Sequence, residues 1–206
     1  MDFGVYKILH YKKDEIKQFI DDLLVNKVRE QLKTLTDAQA RTILDQIEEL
    51  EDDDIIKGYY SDCLYAAKQI RECVAIQEEM LDLNPNDNQG VRDQLLLYLI
   101  QIDETEKFKK YADMFPDDIG AHALFNRALF AFKTEGDSKA ANNKLQKAVT
   151  ENPYVANRIL AHKPVKGLAE HYGFGSEEEA DYYALSARHV WRGTRGALKW
   201  LLKHSQ

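Results

Sequence analysis

The chain has 206 residues, 44% hydrophobic and 31% charged, with two cysteines and a formal net charge of −7. It is long enough to bury a sizeable core without disulfides or metals, and its composition is that of an ordinary soluble globular protein. No apolar run approaches the roughly 18 to 20 residues that cross a bilayer, and the start Met1-Asp2-Phe3-Gly4 lacks the order of a secretory signal, so the expected location is cytoplasmic with no membrane partner. From residue 13 onward apolar residues recur at spacings of three and four rather than two, which predicts an all-α fold of about nine to ten helices. Ile16, Phe19, Ile20, Leu23, Leu24, Val28 and Leu32 form one stripe of a first helix over 14–33. Thr36-Asp37-Ala38-Gln39 has the capping-box pattern and starts a second helix that buries Ile43, Leu44, Ile47 and Leu50. The run Glu48-Glu49-Leu50-Glu51-Asp52-Asp53-Asp54 belongs at a junction, because acids oppose the macrodipole at a helix C-terminus and complement it at an N-terminus. It lacks the order of a calcium loop and reads as a solvated corner.

Two further helices are expected over 55–65 and 68–83, closed by Pro85. Asn86-Asp87-Asn88 offers turn and N-cap chemistry for a helix through Ile102 that carries Val91, Leu95, Leu96, Tyr98, Leu99 and Ile100. Asp103 can cap the next, which buries Phe108, Tyr111, Met114 and Phe115 and stops at Pro116. Asp118 can cap a helix to about Lys133, and Gly136-Asp137 turns into another that ends at Pro153. Pro164, Gly167, Gly173 and Gly175 mark a short helix followed by an irregular crossover. Ser176 with Glu179 repeats the capping-box pattern for a helix through Trp191, and Gly193-Thr194 leads into a last helix with Leu198, Leu201 and Leu202. The expected segments are an N-terminal helical region 1–53, a repeat region 54–153, and a crossover with a capping hairpin over 154–206.

The prolines carry a period. Leu83-Asn84-Pro85 and Glu151-Asn152-Pro153 are alike, and the two prolines are 68 residues apart, twice 34, the period of tetratricopeptide helix pairs. Phe125, Ala128, Leu129 and Phe132, then Gly136-Asp137, Ala141, Leu145, Ala148 and Pro153, fall in the order of one full unit. Cys73, Val74, Met80, Leu81, Leu83 and Pro85 look like the second half of an earlier one. Pro116, 31 residues after Pro85 and 37 before Pro153, breaks the spacing and predicts a skewed stack between them. Over residues 58 to 203 the blocks Leu83-Asn84-Pro85-Asn86-Asp87-Asn88-Gln89-Gly90-Val91-Arg92, Asn152-Pro153-Tyr154-Val155, Gly175-Ser176-Glu177-Glu178-Glu179-Ala180 and Gly196-Ala197-Leu198-Lys199-Trp200-Leu201 resemble bacterial tetratricopeptide-repeat proteins. The C-terminal part of those proteins is similar to the suppressor of tumorigenicity family of eukaryotes. The chain departs from that pattern at Ala156, where many relatives carry proline, and lacks the cysteine-rich metal-binding tail of some.

The resemblance implies a right-handed superhelical stack of antiparallel hairpins that binds another protein, with no catalytic residues to transfer and no cofactor. On its concave face the register places Gln89, Arg92, Leu96 and Leu99 from one unit and Asn126, Arg127, Phe130 and Lys133 from the next. Arginine and asparagine can hold a peptide backbone or carboxylate while phenylalanine and leucine take an apolar side chain. The last hairpin would cap the array. Such an array is also compatible with a homo-oligomer.

Other chemistries find little support. The six histidines show no His-Glu-x-x-His pair and no Cys-x-x-Cys accompanies them, so no metal site is expected, and Cys63 and Cys73 read as small buried hydrophobes. Gly173-Phe174-Gly175 reads as a turn, and there is no phosphate-cradling lysine loop or nucleophile elbow. The charge is uneven: residues 1 to 153 carry 20 Lys/Arg against 30 Asp/Glu, a balance of −10, while residues 182 to 206 carry five basic side chains and no acid. The alternative reading is therefore a nucleic-acid-associated regulator that uses Arg188, His189, Trp191, Arg192, Arg195, Lys199, Trp200 and Lys203.

Overall fold

A computed structural model describes residues 54–161, 168–169 and 171–205; the helices expected over 14–50 and all but the last residue of the acidic run lie outside them. Among the described residues there are nine helices and no strand, so this part of the chain is all-α. They are α1 (Asp54–Ala66), α2 (Ile70–Leu83), α3 (Val91–Gln101), α4 (Thr105–Asp113), α5 (Ala121–Glu135), α6 (Lys139–Glu151), α7 (Tyr154–Leu160), α8 (Glu177–Gly193) and α9 (Ala197–His204). The chain divides into two compact units, residues 1–91 and 92–206. The boundary expected after residue 153 lies inside the second of these.

In the first unit α1 and α2 pack on one another across a short link in which Lys68 has a φ of 64°. Leu64, Cys73, Val74, Met80 and Leu81 are buried along the pair, and burial pushes the Cys73 thiol up to about 12. Gln77 Nε2 donates to Ser61 Oγ at 3.1 Å inside that seam. Beyond α2, the Asn86-Asp87-Asn88 turn behaves as its composition requires. Asp87 is buried, takes a φ of 50°, and accepts the Val91 N–H on Oδ1 at 2.7 Å, satisfying one of the orphan donors at the start of α3.

In the second unit α3 buries six consecutive residues, Leu95 to Ile100. α4 buries Phe108 and Tyr111, but it ends at Asp113, so Met114 falls on the turn and is 40% exposed. Two expected caps are replaced. Asp103 takes a left-handed φ of 63°, which turns the chain between α3 and α4 and sends its carboxylate to Lys133 Nζ at 2.7 Å instead of to the α4 amides. Asp118 Oδ1 accepts the Gly120 N–H at 2.9 Å and Oδ2 accepts Arg92 Nε at 2.9 Å, so neither oxygen reaches the first turn of α5. Ser138 does cap α6, accepting the Ala141 N–H at 3.0 Å.

The α5–α6 pair is the tightest seam. Phe125, Ala128 and Leu129 meet Ala141, Leu145 and Ala148, and all six have no exposed surface. The alanines let the two backbones approach, and the large residues fill the space between turns. α8 packs on α5 and α7, and α9 packs on α5 through α8. Phe132 stacks on Trp200 with ring centroids 4.5 Å apart, and Trp191 lies 6.2 Å from Trp200. A chain of hydrogen bonds runs beneath: Trp191 Nε1 donates to Tyr183 Oη at 2.8 Å, Tyr183 Oη to Asn126 Oδ1 at 3.1 Å, and Asn126 Nδ2 to the Asp93 carbonyl at 3.2 Å.

The Ser176 pattern gives half of a capping box. Ser176 Oγ accepts the Glu179 N–H at 3.1 Å, but the Glu179 carboxylate does not return to Ser176. Only 3% exposed, it accepts the Ala121 N–H on Oε1 at 2.9 Å, and Asn152 Nδ2 at 2.8 Å and the Gly175 N–H at 2.7 Å on Oε2. Gly175 has a φ of 75°, and a Cβ there would sit 2.8 Å from the Glu151 carbonyl oxygen, so this contact admits only glycine. Replacing Glu179 with alanine leaves three donors in a dry site and is expected to destabilise the second unit by roughly 3 kcal/mol, against roughly half that for Glu179→Gln. Urea unfolding followed by tryptophan fluorescence checks this, since both tryptophans lie in that unit; a change under about 0.5 kcal/mol for the alanine variant refutes it.

Candidate functional site

The short α4, the turn at Pro116 and the long α5–α6 hairpin leave a cavity of about 390 Å³ between them. Phe108 from α4 and Phe130 from α5 lie in its wall and stack on each other, centroids 3.9 Å apart and planes 10° from parallel. Ala112, Leu124 and Ala131 add apolar surface. The charged lining is Lys109 and Asp113 from α4, Arg127 and Glu135 from α5, and Lys144 and Lys147 from α6. The volume falls in the range of small-ligand and side-chain pockets, about 300 to 1,000 Å³.

Of the residues expected in a groove, Arg127 and Phe130 line this cavity. The others lie elsewhere. Gln89 is exposed in the first unit. Arg92 is held by Asp118 and lies over the Phe115 ring, 4.6 Å from its centroid. Leu96 and Leu99 are 2% and 1% exposed and belong to the core. Asn126 has no exposed surface and is spent on the hydrogen-bonded chain from Trp191 to Asp93. Lys133 donates to the Ile100 carbonyl and pairs with Asp103. Arg127 itself donates to the carbonyls of Ala112, Phe115 and Asp118, closing the C-terminal end of α4. The other ten lining residues were not expected at a site, among them Phe108, Lys144 and Lys147. Lys144 and Lys147 are three apart on α6 and share one helix face, the only local signal they offer.

One polar cluster has the outline of a hydrolytic triad. His122 Nε2 lies 3.1 Å from Ser186 Oγ, its Nδ1 lies 3.7 Å from Asp93 Oδ2, and its ring meets Tyr183 edge-on at 5.1 Å. Ser186 stands in mid-helix, where its hydroxyl donates to the Tyr183 carbonyl at 3.0 Å. The neighbouring α8 amides are consumed by the helix ladder, so that helix offers no pair of backbone donors beside the hydroxyl for an oxyanion. The cluster is better described as half-buried polar packing.

Several of the basic C-terminal residues are also engaged, while Arg195 and Lys199 stay exposed. Trp191 and Trp200 are buried, and Trp200 Nε1 donates to Asn142 Oδ1 at 2.7 Å. Arg188 donates to the Arg158 carbonyl, Arg192 to the Ala161 carbonyl at 3.0 Å, and Lys203 pairs with Asp137 at 2.7 Å. No group of three or more His, Cys, Asp or Glu side chains suited to a metal ion occurs among the described residues, and none of their helices is long and apolar enough to cross a membrane. No protein-family model matches the chain, and no curated protein or solved structure shows significant similarity to it.

Burial pushes the His122 imidazole down to about 4, against a smaller opposing pull from the Asp118 charge. In the unfolded chain the same ring titrates near 6.5. Between these values the unfolded state holds a proton that the native state does not, so stability is unaffected above about pH 6.5 and falls as pH drops towards 4. Between pH 7 and pH 5 the protein is expected to lose about 2 kcal/mol more than His122→Gln, which retains a partner for Ser186. Urea melts of both proteins at the two pH values measure the difference, and parallel losses would show that His122 titrates normally.

Proposed function

We propose that this chain is a non-catalytic adaptor that recruits another protein in the cytoplasm. It does so with tetratricopeptide-like hairpins arranged as a right-handed superhelical stack. In this reading the α5–α6 pair is one repeat, the α8–α9 pair caps the array, and a peptide or helix of the partner anchors a side chain in the cavity beside Phe130. The cavity carries the proposal: it is preformed, apolar at the stacked rings and charged at its rim, the anatomy of a peptide anchor pocket. The close seam of Phe125, Ala128 and Leu129 with Ala141, Leu145 and Ala148 supports the repeat assignment.

The alternative of a nucleic-acid regulator loses its stacking platform, because both indoles are buried and hydrogen-bonded. The adaptor is tested by panning a phage-displayed random-peptide library against the full chain and measuring selected peptides against Phe130→Ala, with circular dichroism as the fold control. The expected outcome is an enriched family with an apolar anchor whose binding weakens roughly tenfold in the variant, the usual scale for an anchor contact. Failure to enrich any family, or equal binding to a folded Phe130→Ala, overturns the reading.

A further inference from the structure

We infer that the segment received by this cavity is acidic, carboxylates flanking one large apolar side chain. The inference rests on the adaptor reading and adds the chemistry of the partner. Its first support is a reversal of charge. The chain carries −7 overall, yet the cavity is lined by four basic side chains and two acidic ones. Two of the four cations have other duties: Arg127 holds the end of α4, and Lys109 pairs with Glu106 at 2.8 Å. Lys144 and Lys147 are different. Both are exposed, both line the cavity, and no ion pair or hydrogen bond engages either ammonium among the described residues.

Like charges one helical turn apart repel each other. An anion between or beside them relieves that repulsion, and a peptide carboxylate does so while its neighbour's side chain enters the cavity. The outward face of α6 reinforces the sign, since Lys139, Lys144 and Lys147 are exposed there against the single acid Glu151. A peptide fits better than a polynucleotide for two reasons. The stack takes up one face of each of Phe108 and Phe130, and Phe108 is only 3% exposed, so little aromatic face is left in the cavity for a base. Asp113 and Glu135 on the same rim would repel a continuous phosphate backbone, whereas carboxylates spaced along a peptide can face the lysines and avoid them.

The test uses fluorescein-labelled Asp-Glu-Phe-Leu-Glu-Asp, its Asn/Gln counterpart and its Lys counterpart, titrated by fluorescence anisotropy with the full chain and with Lys144→Glu/Lys147→Glu. Both positions are exposed, and a melting curve verifies the fold of the double variant. The acidic peptide is expected to bind the wild-type protein most tightly, to weaken roughly tenfold in the double variant, and to weaken further as salt rises from roughly 50 to 500 mM. Equal binding of the acidic and Asn/Gln peptides, or unchanged binding of the acidic peptide by a folded double variant, overturns the inference. Displacement of the acidic peptide by oligouridylate at equal charge concentration also overturns it, since the site would then favour phosphate. Panned peptides that are enriched but lack acids refute the acidic partner and leave the adaptor standing; the absence of any enriched peptide removes both.

Discussion

The second unit depends on one buried carboxylate. Glu179 lies at the start of α8, yet its oxygens are shared among the first amide of α5, the Asn152 side chain that follows α6, and the Gly175 amide ahead of α8. A carboxylate in a dry site is tolerable only when its lone pairs are filled and its charge is balanced. Here the balance comes from the N-terminal ends of two helices. α5 presents its positive dipole end to Oε1, and α8 starts with Glu177, Glu178 and Glu179 in its own first turn. Three segments distant in sequence are thereby held in fixed register. Pro153 can stop α6 without fraying it, because the adjacent Asn152 is anchored on both Glu179 and the Ser176 carbonyl.

That register sets the position of α5, and α5 carries most of what surrounds it. Its buried face meets α6, Asn126 reaches α3 and α8, and Arg127 and Phe130 look towards α4. Arg127 has a further effect. Unsatisfied carbonyls at a helix C-terminus form the negative end of its dipole, and the C-terminal residues of α4 adjoin the cavity. By donating to Ala112 and Phe115, the guanidinium both closes α4 and offsets that negative end. The sign of the cavity is then set by its side chains, with α6 supplying two of the cations.

Much of this arrangement was legible in the sequence, and what was not has a common physical cause. The helix spans and the seam residues follow from local periodicity: Phe125, Ala128, Leu129, Ala141, Leu145 and Ala148 are spaced as a helix pair demands, and all are buried. Caps depend on where a side chain can reach. Asp103 and Asp118 have the right chemistry in the right place, but a left-handed backbone at one and the pull of Arg92 on the other redirect them. The donor that Asp118 leaves at the start of α5 is met by Glu179, which lies 58 residues beyond Ala121 and which the local pattern assigns to the start of α8 and not to α5. The N-terminal helices expected over 14–50 fall outside the described residues.

The groove residues illustrate the same limit. A helical register reports which side chains leave a helix in a common direction, not what they meet. Of the five polar members of the set Gln89 is exposed, and Arg92, Asn126, Arg127 and Lys133 are each occupied within the chain by a carboxylate or a carbonyl. A side chain spent on a helix end cannot also leave with a ligand without a backbone group losing its partner, a cost of about 1 to 3 kcal/mol for each buried group. Lys144 and Lys147 carry no such obligation, and on sequence alone they were indistinguishable from an ordinary solvated face. The proposed recognition at this surface is therefore better assigned to side chains that the fold does not need. Phe130 supplies an apolar wall fixed by its stack on Phe108, and the α6 lysines supply charge that can be turned to a partner with no loss to the packing beneath.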